Sequence, residues 1–113
     1  MEKYIEERPW GNFEQFTKNE ICTVKILNVK ENEKLSLQYH HNRDEFWRVI
    51  TGKAKLVIGE EIKDAQEGYE FFIPRETKHR IMTEDSPVQI LEISFGKFDE
   101  NDIVRIEDKY ERK

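Results

Sequence analysis

Ser36-Leu37-Gln38-Tyr39-His40-His41-Asn42-Arg43-Asp44-Glu45-Phe46-Trp47 places Gln38, His40 and Glu45 within eight positions. In a strand, residues two apart share a face. Gln38 and His40 therefore point the same way, with Leu35 and Leu37 on the opposite face and His41 a bystander. Glu45 follows His40 by five residues, a distance that suits a turn through Asn42-Arg43-Asp44 into the next strand. His79 comes later, after a Gly68-x5-Pro74 stretch that reads as a separate strand. Gln, His, Glu and His can all bind one divalent ion through oxygen or imidazole nitrogen. The plainer alternative is a decorated surface strand with Glu45 paired to Arg43.

Working outward, short apolar or alternating runs are separated by turn residues throughout the chain. They cover Trp10–Phe16, Ile21–Val29, Lys34–Tyr39, Glu45–Thr51, Ala54–Ile58, Tyr69–Ile73, His79–Thr83 and Val88–Phe95. Gly59-Glu60 reads as a hairpin turn. Such spacing predicts an all-β sandwich or barrel. The tail from Asp99 is strongly charged and is expected to form a helical turn, an extra strand or a clasp on the barrel. No linker or repeat divides the chain, so residues 1–113 form one domain.

The net charge of −5 argues against a nucleic-acid partner, which needs a basic face. One cysteine, Cys22, rules out an internal disulfide and fits a small core or interface residue. The N-terminus lacks the order of a signal peptide, and no apolar run approaches the ~20 residues that span a bilayer. A cytoplasmic protein without a membrane partner is the expectation. Trp47, Phe71 and Phe72 are expected in the core, and Glu60-Glu61 in an exposed turn.

At these residues the sequence resembles the cupin superfamily. Its first motif corresponds to His40-His41-Asn42 followed by Glu45-x6-Gly52, its second to Gly68-x5-Pro74-Arg75-Glu76-x2-His79-x3-Thr83. The likeness is specific to the C-terminal cupin domain of type II phosphomannose isomerases, which many members fuse to mannose-1-phosphate guanylyltransferase. It runs from Arg8-Pro9-Trp10-Gly11-x-Phe13 through the central motifs to Asp102-Ile103-Val104-Arg105-x-Glu107-Asp108-x-Tyr110-x-Arg112. The chain departs from that family at Asn42 and Phe46, where the family has His and which are expected to line the pocket. It departs again at Glu76, where the family has Gly.

The resemblance implies a cupin fold, a double-stranded β-helix or jelly-roll barrel. It implies one divalent metal held by Gln38, His40, Glu45 and His79, zinc first, with manganese, iron, cobalt and nickel compatible. It further implies metal-dependent interconversion of mannose 6-phosphate and fructose 6-phosphate through an enediol, with the base open among Lys78, Glu92 and water. Arg43, Arg75, Lys78, Arg80 and Arg105 are the candidates for the sugar phosphate. Arg105, in the matched C-terminal segment, is also assigned a catalytic part. The alternative is a diverged or non-catalytic metal-binding cupin that recognises a sugar or sugar phosphate. The absence of a Gly-rich nucleotide loop before Arg8 speaks against sugar-nucleotide synthesis by this chain. A homodimer formed through the early Trp10–Phe16 strand completes the expectations.

Overall fold

Ile21–Val29 is rich in β-branched residues, and Val88–Phe95 alternates polar with apolar side chains; both patterns favour a pleated, half-buried surface. In the computed structural model, which describes residues 1–109, they form β3 (Cys22–Val29) and β9 (Val88–Phe95), paired antiparallel over their whole length. The other strands are β1 (Tyr4–Arg8), β2 (Gly11–Gln15), β4 (Leu37–Tyr39), β5 (Glu45–Ile58), β6 (Glu61–Gln66), β7 (Glu70–Ile73), β8 (His79–Met82) and β10 (Val104–Glu107). The all-β expectation therefore holds. Tyr110 and Arg112, quoted in the C-terminal likeness, lie outside the described residues.

β5 organises the barrel. Its first half pairs with β9 and β7, and its second half pairs with β6 and β8. One face is thus β3–β9–β5–β7 and the other is β10–β4–β8–β5–β6. The strand changes partners at Gly52, where the sequence predicts a strand end. The chain does not stop there because the backbone adopts φ +84°, which glycine tolerates, and the strand continues around the corner. The Lys34–Tyr39 run is also corrected. Lys34 makes a single bridge to Met82, and the strand proper begins at Leu37. Leu35 and Gln38 consequently line the same cavity despite their opposite parity.

The core is Trp47, Val49, Leu56, Ile73, Ile81, Ile90 and their neighbours. Phe71 packs against it, whereas Phe72 is 42% exposed, contrary to expectation. β1 and β2 form a separate hairpin. Lys3 and Arg48 each bond both Glu14 and Glu70, and Phe16 packs on Phe46, which fastens the hairpin to the outer face of the barrel. Among the described residues, no helix is long and apolar enough to cross a membrane.

Candidate metal centre

Register across the first face sets what the barrel interior offers. Leu27, Ile90 and Val49 form an apolar row. Two residues along, Lys25, Glu92 and Trp47 stand side by side, and then Thr23, Ser94 and Glu45. On the opposite face, Arg105, Gln38, His79 and Ile58 share a row. The interior thus grades from apolar to polar, and between the faces lies a cavity of about 660 Å³.

Glu45 and His79 line it and meet His40, all three buried, with donor atoms within 4.8 Å of one another. Glu45 Oε1 lies 3.3 Å from His79 Nε2 and 3.6 Å from His40 Nε2. Both imidazoles are oriented through their other nitrogen. His40 Nδ1 donates to the Asp102 carbonyl at 2.6 Å and His79 Nδ1 to the Thr77 carbonyl at 2.9 Å. A carbonyl can only accept, so each Nε2 carries a lone pair; that of His79 faces the centre without a partner, and that of His40 also accepts from Arg43 Nη2 at 3.3 Å. Glu45 Oε2 accepts from Ser94 Oγ at 2.9 Å and from Arg43 Nε at 3.4 Å, leaving Oε1 pointing inward. Glu45 Oε1 and His79 Nε2 are buried without a hydrogen-bond partner. Such orphaned atoms are costly, and a shared cation satisfies both. Donors that bind one zinc ion at about 2.0–2.1 Å in tetrahedral array stand about 3.4 Å apart, close to the separations of Glu45 Oε1 from the two imidazole nitrogens.

The electrostatics agree with that donor set. Burial lowers the His40 pKa and keeps the ring neutral, as a ligand must be. Burial works to raise the Glu45 pKa, but positive charge at His79, His40 and Arg43 outweighs it and holds the carboxyl at about 2; with both imidazoles neutral, Arg43 and a bound cation would supply that charge. Glu92 goes the other way. Burial, then the Glu45 charge, raise its pKa, against the hydrogen bond it accepts from Trp47 Nε1 at 3.0 Å. Two buried carboxyls in one cavity are thereby biased toward opposite protonation states.

The remaining sequence candidates separate clearly. Gln38 lines the cavity, and its Oε1 accepts from Ser36 Oγ at 2.6 Å. Arg43, Arg80 and Arg105 line it too. Arg80 is already engaged, donating to the Leu35 carbonyl and to Glu107. Arg75 pairs with Asp44 and Lys78 with Glu60, both away from the cavity lining. Asn42 and Phe46 do not line the cavity either; Phe46 points to the outer face, under Phe16. Glu76 sits at φ +62°, a left-handed conformation that suits the glycine usual there. Lys25, Phe98 and Asp102 escaped the sequence reading. Asp102 holds His40 by its carbonyl, and its carboxylate accepts from the amides of His41 and Asn42.

Over residues 2–108 the chain matches the family described as mannose-6-phosphate isomerase C-terminal. The chain belongs to that family. It is 36% identical over 107 residues to mannose-1-phosphate guanylyltransferase ManC of Salmonella typhimurium, covering 93% of this chain and 22% of that protein. It is 37% identical to the xanthan biosynthesis protein XanB of Xanthomonas campestris, covering 93% and 23%. The chain therefore spans less than a quarter of the length of these relatives, whose names place them in enzymatic sugar metabolism. Solved structures show the cupin fold. A cupin protein from Bacteroides fragilis superposes with TM-score 0.61 at 23% identity, covering 69% of this chain and 70% of that one. The DMSP lyase DddQ of Ruegeria pomeroyi gives 0.69 at 17%, covering 96% and 52%.

These findings correct the expected activity. The relatives are named for mannose-1-phosphate guanylyltransfer and polysaccharide biosynthesis, not for interconversion of mannose and fructose 6-phosphates. Membership in this family defines a domain, and the reaction must be argued from the site.

Proposed function

We propose that this member of the family is a divalent-metal cupin that binds a phosphorylated sugar, in the service of sugar-phosphate and sugar-nucleotide metabolism. The observation that carries the reading is the pair of orphaned atoms, Glu45 Oε1 and His79 Nε2, at the wall of a cavity also lined by Arg43 and Arg105. His40, Glu45 and His79 would hold the ion, with Gln38 adjoining as the fourth ligand and zinc as the first candidate. A bound ion would polarise a sugar oxygen and stabilise negative charge on it. The arginines supply planar donors suited to a phosphate. Glu92, with its raised pKa, can hold or release a proton at its carboxyl beside the bound sugar.

Calorimetry on zinc-loaded protein tests this. Mannose 1-phosphate or mannose 6-phosphate should bind saturably, with unphosphorylated mannose at least about tenfold weaker, the scale of one charge-assisted hydrogen bond. Failure of folded, metal-loaded protein to bind either phosphate would refute the reading.

We further propose that the chain is a homodimer. β3 is the last strand of its face; Val24 and Ile26 within it are 56% and 52% exposed, and Ile21 just before it is 78% exposed. The hairpin offers exposed Tyr4, Ile5 and Trp10. A long apolar edge of this kind calls for cover, and a two-fold axis lets each hairpin cover its partner's β3. Sedimentation should give a dimer for the wild type and a folded monomer for Ile26→Lys. A monomeric wild type at micromolar concentration would exclude the arrangement.

A further inference from the structure

At the rim of the cavity two cations share one aromatic ring. Lys25 Nζ stands 4.2 Å from the Phe98 centroid, and the Arg43 guanidinium carbon stands 4.5 Å from it. All three residues line the cavity. Arg43 also donates to the Asp99 carbonyl at 3.1 Å, so it grips the segment that carries Phe98. That segment begins at Gly96 and ends at Asp102, which positions His40.

We propose that Lys25 and Arg43 form the subsite for the ligand's phosphoryl group, and that Phe98 occupies it as a displaceable plug. The proposal rests on the phosphorylated-sugar reading above and says where the phosphate goes. Like charges repel, and an aromatic face holds the exposed Lys25 only weakly where water has access, whereas Arg43 is buried. A phosphoryl group carries three strong acceptor oxygens and up to two negative charges. It exchanges the weak Lys25 contact for charge-assisted hydrogen bonds, which are the stronger kind, and relieves the repulsion between the two cations. The neighbouring charges leave Lys25 as the cation that most needs an anion. Glu45 pairs with Arg43 through Oε2 at 3.4 Å while its Oε1 faces the metal centre, Arg80 is tied to Glu107, and Glu92 is the carboxyl biased toward its neutral form. Glu100, also on the lining, is exposed. Lys25 stands in the row of Glu92 and Trp47, next to the row that carries Glu45, so a phosphoryl group on Lys25 leaves the sugar within reach of the metal centre.

The test measures binding of inorganic phosphate and of mannose 6-phosphate to zinc-loaded full chain, with zinc content and melting temperature recorded in parallel. Lys25→Met should weaken phosphate binding by about tenfold, equivalent to about 1.4 kcal/mol, with zinc content unchanged. Phe98→Ala should tighten it, because no ring has to be displaced. Phosphate affinities of both variants within about twofold of wild type would overturn the subsite, as would a wild type that binds no phosphate. Weakened affinity in Phe98→Ala would overturn the plug. If phosphate binds through Lys25 but mannose 6-phosphate binds no tighter than phosphate, the subsite stands and the sugar reading falls.

Discussion

His79→Ala protein, stripped of metal and resupplied with zinc, is expected to bind the ion at least about 100-fold more weakly than wild type, which takes up one per chain. Losing a residue that merely orients a ligand already costs 10–100-fold, and His79 supplies one of the inward lone pairs itself. The thermal readout follows by mass action. Zinc at about 100 times its dissociation constant stabilises the wild type by about 2.7 kcal/mol, and this increment should vanish in the variant. Glu45→Gln provides an independent check, because it keeps the shape of the side chain and removes its charge. Inductively coupled plasma spectroscopy and melting curves with and without zinc read both effects. Wild-type zinc affinity in His79→Ala would remove the triad from consideration as a metal centre.

Gly52→Ala is expected to cost about 2–4 kcal/mol and to lower the melting temperature by roughly 8–15 °C. Two penalties coincide at this corner. The backbone is at φ +84°, and a Cβ would lie 2.2 Å from the Pro87 carbonyl oxygen. Backbone cannot swing aside as a flexible side chain can, so β5 and β9 must part where the register shifts between Val49 and Thr51. Gly68→Ala separates the two penalties. Its φ is +88°, but nothing lies within 4 Å of the added carbon, so only the conformational cost of about 1–2 kcal/mol remains. Equal melting temperatures for the two variants would show that the close approach to Pro87 carries no weight.

What could be read from the sequence followed from local pattern. Alternation and β-branching located β3 and β9 closely, because those strands have one face in the core and one outside it. β1, Tyr-Ile-Glu-Glu-Arg, and β6, Glu-Ile-Lys-Asp-Ala-Gln, were missed. Both are mostly solvent-facing and charged, so burial imprints little periodicity on them. The convergence of His40, Glu45 and His79 was legible because spacing and residue type both constrain a metal site. Lys25, Phe98 and Asp102 were not legible. Their place depends on which strands pair and in which register, information that a single chain does not display locally. Arg75 and Lys78 show the opposite failure. They were candidates as cations for a phosphate, yet they pair with Asp44 and Glu60 away from the cavity lining.

The Asp102 carbonyl that aims His40 comes from a segment 62 residues further along the chain, and β10 pairs with β4 across a similar separation. Closing such long loops is entropically expensive and slow. Capture of an ion at this site would therefore belong to the last stage of folding. A nascent chain on the ribosome can already hold both histidines and Glu45, yet it does not aim His40 until the closing strand is in place.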